Sequence, residues 1–157
     1  MFIRDAMVSR PLVVRPQTSL TEFVDAVLAS SQTTATVIDA DSKVVGIISL
    51  QDVCHAIGPA YLDAHAELGG FVHEGYFDEK FEELERRTVS EIMTRDVTTV
   101  EPGEAVIRAV IMFAQLNRKS LPVIEDGRFA GTVTRRSVFR CVRRPKSDSG
   151  RPEEESP

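Results

Sequence analysis

Residues 46–53 read GIISLQDV, and residues 131–138 read GTVTRRSV. Each stretch opens on a glycine, passes through β-forming residues to a hydroxyl (Ser49, Thr134), and continues in residues that suit a helix. Asp52 stands three positions after Ser49, and Ser137 takes the matching place after Thr134. One design is used twice, and one use has dropped a carboxylate. The repeat decides the fold; the lost carboxylate bears on function.

Working outward from these stretches extends the repeat. The segment AMVSRPLVVRPQTSLTEFVDAVL (6–28) lies over IMTRDVTTVEPGEAVIRAVIMFA (92–114), with Met7 on Met93, Pro16 on Pro102, Val14 on Val100 and Val24 on Val110. TVID (36–39) then matches PVIE (122–125), and one residue is lost in the following turn. Each copy predicts the same order of elements. An extended stretch (12–14; 97–100) ends before a proline. An amphipathic helix follows, with Ser19 as N-cap and Leu20, Val24, Val27 and Leu28 at helical spacing in copy one, and Val106, Val110 and Phe113 in copy two. Two strands come next (36–38 and 44–49; 121–124 and 129–134), and EDGR (125–128) supplies the Asp-Gly pair of a tight hairpin. A last helix runs from the hydroxyl residue to about Ile57 or Arg143. The expected fold class is α/β (α+β), β-α-β-β-α twice, as two modules about a pseudo-twofold axis: module one at 1–57, a helical linker at 58–87, module two at 88–143 and a disordered tail at 144–157.

A tandem β-α-β-β-α unit that opens on RDAM and VSEIM and closes on GIISLQD and GTVTRRS resembles the cystathionine-β-synthase (CBS) domain pair. The resemblance covers nearly the whole chain. It implies a regulatory module that binds an adenosyl compound in the cleft between copies and usually pairs into a flat homodimer.

The residues themselves allow two readings of Ser49 and Asp52. At the start of a helix, orphan amides and the helix dipole favour an anion, and a carboxylate can accept from both hydroxyls of a ribose. The plainer reading, which the residues alone favour, is that Ser49 is an N-cap and Asp52 a complement to the positive helix end, worth about 0.3–1 kcal/mol. The resemblance favours the first. It implies one ligand site from Ile47, Ser49, Gln51 and Asp52, with Gly103 in the 102–104 turn and Arg118, Lys119 and Ser120 from the second copy. A second, degenerate site would use Thr134, Arg136 and Ser137, with Thr18, Thr33 and Thr34 from the first. Ser137 cannot bracket a diol, and Arg135 and Arg136 could instead draw phosphates. AMP, ADP, ATP, NAD and S-adenosylmethionine share the ribose that Asp52 would hold, so the ligand stays open within that class.

The rest of the sequence narrows the field. Apolar residues make up 42% of the 157 and charged residues 27%, the balance of a chain with a core to build. No apolar run approaches the ~20 residues of a membrane span, and the opening MFIRDAMVSRP does not read as a secretion signal, so a cytoplasmic location is expected. Cys54 and Cys141 lie far apart, and His55, His65 and His73 are scattered, which predicts no metal site. No nucleophile elbow, Walker loop, HExxH or dinucleotide fingerprint occurs, so no enzyme activity is expected. In the linker, PAYLDAHAEL (59–68) predicts a short helix, and Phe77, Phe81 and Leu84 form a stripe expected to pack on the parent module. Two rival functions stay open. One is a ligand-free interaction and dimerisation module using the phenylalanine surface of 71–84, whereas Val53, Ile57, Val138 and Val142 on the terminal helices are the apolar positions for the homodimer that the resemblance implies. The other is nucleic-acid contact through Arg135, Arg136, Arg140, Arg143 and Arg144, which the net charge of −5 opposes.

Overall fold

The computed structural model describes residues 1–58 and 75–143, and of Tyr76 and Phe77 only the backbone. The expected helix at 59–68 and the expected tail from 144 lie outside the described residues. Copy one is β1 (Val13–Val14), α1 (Leu20–Leu28), β2 (Thr34–Ile38), β3 (Val44–Ser49) and α2 (Leu50–Ile57). Then come α3 (Tyr76–Leu84) and the single turn α4 (Val89–Ile92). Copy two is α5 (Val106–Leu116), β4 (Ser120–Glu125), β5 (Arg128–Thr134) and α6 (Arg135–Arg143). A 3₁₀ turn at Ile3–Ala6 precedes the whole.

The two copies agree in detail. β1 runs parallel to β2 with Val14 opposite Val37, and β2 pairs antiparallel with β3. In copy two the first strand shrinks to one parallel bridge, Val100 to Val123, because only there does the extended stretch meet its neighbour. Bulges fall at the same place in both, between Val37 and Ile38 and between Val123 and Ile124. The Asp-Gly hairpin forms as its residues require: Asp126 and Gly127 carry φ of 51° and 77°, the left-handed pair of a type I′ turn. Ser19 caps α1, accepting from the Glu22 amide at 3.1 Å while Glu22 accepts from the Ser19 amide at 2.9 Å.

Where the copies depart from their sequence order is at their heads. Ile3 and Ala6 are buried in the second core, with Val100, Phe113, Leu121 and Val133. Val89 and Met93 are buried in the first, with Leu20, Phe23, Val37 and Ile48. Matching hydrogen bonds hold both exchanges. The Ile3 and Arg4 amides donate to Glu104 and Pro102, and the Val89 and Ser90 amides donate to Thr18 and Pro16, all between 2.8 and 3.1 Å. Each head also carries a carboxylate that caps it: Asp5 accepts from the Phe2 amide at 2.8 Å and Glu91 from the Thr88 amide at 2.6 Å. That amide, helped by Arg87, holds the exposed Glu91 carboxyl below its ordinary value.

The exchange explains why methionine and glycine recur in phase. The two leading methionines lie across the two late glycines of the opposite copy. A Cβ on Gly46 would come 2.6 Å from Met93 Sδ and 3.1 Å from the Thr94 carbonyl, while a Cβ on Gly131 would meet only the Met7 side chain. Met7 is half-buried and can swing aside, whereas Met93 is buried and Thr94 O is backbone, fixed by a two-way bridge to Ile47 at 2.8 and 2.9 Å. Gly46→Ala is therefore expected to cost about 1–3 kcal/mol through overpacking, and Gly131→Ala clearly less. Urea denaturation of the two variants side by side checks the order.

The linker helix packs as its stripe predicts where it can be seen. Leu84 is buried in the first core and Phe81 lies partly buried against it. Two of the expected dimer-forming residues do not serve: Val53 and Val138 are 4% and 1% exposed and face the cores of their own modules. Val142, also expected, is exposed on α6 beside Phe139, and Ile107, Ile111 and Leu116 are exposed on α5 and Leu28 on α1. No helix among the described residues is long and apolar enough to cross a membrane.

Candidate ligand clefts between the two copies

Each copy turns from its last strand into its last helix at the hydroxyl residue, and the turn is closed by a reciprocal cap. In copy one, Asp52 Oδ2 accepts from the Ser49 amide at 2.7 Å and from the Ser49 hydroxyl at 2.8 Å. In copy two, Ser137 Oγ accepts from the Thr134 amide at 2.9 Å, and Thr134 Oγ1 accepts from the Ser137 amide at 3.0 Å. A serine thus performs at 137 the capping that a carboxylate performs at 52. The fold itself does not require the carboxylate.

A cleft of about 300 Å³ opens at the start of α6. Thr134, Arg136 and Ser137 line it, and Thr33 and Thr34 reach it from copy one. The Thr34 hydroxyl oxygen is shielded from solvent and has no hydrogen-bond partner. Lys119 and Ser120, expected beside Asp52, line this second cleft; the β4–β5 register sets Ser120 directly opposite Thr134, so both sit at the start of their own module's helix. Thr18 and Gly103 belong to the two turns, at 16–18 and 102–104, whose carbonyls clasp the exchanged heads. Thr18, expected in this cleft, is not among its lining residues.

Residues 5–9 also line this cleft, as do Gln32, Arg140 and Cys141. The first of these arrive through the head exchange, which the sequence order hides. Gln32 and Arg140 were detectable: Gln32 immediately precedes Thr33, and Arg140 lies one helical turn after Arg136.

At the other end, Ser49 pairs with Thr34 across β2–β3, and the Leu50 amide donates to Thr33 O at 3.1 Å. Ile47 is bridged to Thr94, and Gln51 is exposed on the first turn of α2. Arg118 stands in copy two where Gln32 stands in copy one. Gln32 Nε2 donates to Arg10 O at 2.8 Å, and Arg118 Nη2 makes the equivalent, longer contact with Asp96 O at 3.5 Å. Arg118 and Gln32 thus hold equivalent positions in the repeat, 86 residues apart. The Arg118 Nε is buried and lacks an acceptor, a group that an anionic ligand would satisfy. Among the described residues no cluster of His, Cys, Asp and Glu could hold a metal ion.

Comparison with known proteins accords with this architecture. A sequence profile of the CBS domain matches residues 3–59 and 89–144. The chain is 29% identical over 154 residues to the uncharacterized protein MJ1426 of Methanocaldococcus jannaschii, covering 90% of this chain and 91% of that one. It is 26% identical to the A-adding tRNA nucleotidyltransferase of Aquifex aeolicus but spans only 14% of that enzyme's length. Among solved structures, the CBS domain of a CBS domain-containing membrane protein from Sphaerobacter thermophilus is 27% identical with a TM-score of 0.70, covering 90% and 87% of the two chains. CBSX2, solved in complex with AMP, has the same fold at 22% identity and TM-score 0.70, covering 93% and 99%. With two in-phase modules, heads exchanged and both segments matched, the chain belongs to the CBS domain family, as a tandem pair.

Proposed function

We propose that this CBS pair is a regulatory, non-catalytic module that binds an adenosyl ligand at the Ser49–Asp52 end of the inter-module cleft and passes the binding event to a partner protein. One observation carries the reading: Ser137 closes the second cap without a carboxylate, so the charge and second oxygen of Asp52 exceed what the fold needs. Asp52 would take the ribose hydroxyls, and Arg118, with Nε unpartnered, would take a phosphate, between Ile47, Ser49 and Gln51. Support also comes from neighbours of the same fold, one solved with AMP and one with 5′-methylthioadenosine and S-adenosyl-L-methionine. AMP, ADP, ATP, NAD and S-adenosylmethionine all carry the ribose this site would read. The ligand regulates only if it binds two arrangements of the modules with different affinity. We place the protein in the cytoplasm as a homodimer, with Ile107, Ile111, Phe139 and Val142 as its apolar surface.

Calorimetric titration with AMP, ATP and S-adenosylmethionine tests this, with Asp52→Ser as the control that keeps a capping hydroxyl. For AMP and S-adenosylmethionine the expected result is a ten- to hundredfold loss of affinity in the variant, the equivalent of about 1.5–3 kcal/mol for one charge-assisted contact, with the melting temperature little changed. The exposed apolar residues on α5 and α6 favour one rival, a ligand-free interaction module. Silence from all three ligands with the dimer intact would decide for it.

A further inference from the structure

The cleft at the start of α6 has a chemistry of its own, independent of the adenosyl reading. Lys119, Arg135, Arg136 and Arg140 line it, and Asp5 is the one carboxylate among its lining residues. The protein as a whole carries a net charge of −5, so this concentration of positive charge is local. Asp5 is already engaged, accepting from the Phe2 amide at 2.8 Å. Arg135 is committed too, donating to Arg118 O at 3.0 Å and Asn117 Oδ1 at 3.2 Å. Among the described residues, Lys119, Arg136 and Arg140 form no ion pair or hydrogen bond.

We infer that this second cleft is a polyphosphate site, which binds a di- or triphosphate group by its charge and does not read a ribose. Three free cations surround a concave space where like charges gather at a cost that only a multivalent anion removes. Arg136 and Arg140 lie four residues apart on one helix face, about 6 Å along the axis, and with Lys119 they bring three positive charges, which two or three linked phosphates match in charge better than a single phosphate does. The hydroxyls of Thr34 and Ser120 add neutral donors, and Thr34 Oγ1 has no other partner. Ser137 offers no charged acceptor for a sugar diol, so the nucleoside is left unread. The same positive charge repels the sulfonium of S-adenosylmethionine.

Inorganic tripolyphosphate is the probe, titrated into the full chain carrying Asp52→Ser so that the other cleft contributes as little as possible. The expected result is binding near one equivalent per chain that weakens steeply with salt, falls at least tenfold in Lys119→Ala/Arg136→Ala, and is matched by ATP but not by AMP or S-adenosylmethionine. Ser137→Asp, which restores the carboxylate, is expected to weaken tripolyphosphate while leaving the cap closed and the melting temperature near that of the parent. Three outcomes would overturn the proposal: ATP binding without tripolyphosphate binding, tripolyphosphate binding indifferent to Lys119→Ala/Arg136→Ala, or binding only of a single-stranded oligonucleotide. Loss of adenosyl binding at Asp52 leaves these results unchanged, so the two readings fail separately.

Discussion

Ile3→Ala is expected to cost about 2–5 kcal/mol of stability, and the damage is expected in the second module. Ile3 is fully buried, and its neighbours are Val100, Phe113, Leu121 and Val133 rather than the strands that follow it in sequence. Truncation removes the transfer energy of its apolar carbons and leaves a cavity between the first turn and β5. Collapse around that cavity is limited, because the Ile3 and Arg4 amides are pinned to Glu104 and Pro102 and the Val8 amide to Thr132 O at 2.8 Å. Denaturant unfolding gives the size of the loss. Native-state hydrogen exchange gives its place: amides of β4 and β5 should lose protection before those of β2 and β3. Protection lost first in β2 and β3 would mean that residues 1–8 support the copy they precede.

Much of this architecture was legible because it obeys local rules. The order of elements follows from hydrophobic period, the α1 cap from Ser19 and Glu22, and the type I′ hairpin from Asp126 and Gly127. The exchange of heads was not legible, and the reason is specific. Met7, Met93, Gly46 and Gly131 were visible in phase, but a repeat in perfect phase is equally satisfied by contacts within each copy or across the two. Phase fixes which residue types meet and leaves open which copies they come from. The resemblance, and not the sequence position, implied a contact of Lys119 and Ser120 with Asp52; strand register sets Ser120 opposite Thr134, and both Lys119 and Ser120 line the cleft at the start of α6. Val53 and Val138 illustrate another limit. An apolar residue on a short terminal helix can face a core or a partner, and only packing decides; here both are nearly fully buried. For Asp52, sequence alone favoured capping over ligand binding. The unequal caps show that a serine closes the equivalent turn, so capping by itself does not require the carboxylate.

Leu84→Ala is expected to cost about 2–5 kcal/mol, with the loss centred on the first module. Leu84 is 1% exposed at the end of α3 and belongs to the core of Phe23, Val53 and Val89. Phe81→Ala should cost less, since Phe81 is only partly buried at the edge of that core. Glu83→Ala should fall within about 1 kcal/mol of the parent, because its 2.8 Å ion pair with Lys80 is exposed. This gradient from Leu84 to Glu83 distinguishes a helix integrated into the module from one resting on its surface, for which all three changes would be small. It also bears on how the copies differ. α3 packs against α2, the helix whose first turn holds Asp52, while α6 leaves Phe139 and Val142 facing outward. A Leu84→Ala variant should therefore expose the α2 side to proteolysis within 75–87 while β4, β5 and α6 keep their protection. Simultaneous loss in both halves would show that the exchanged heads couple the two cores into one cooperative unit.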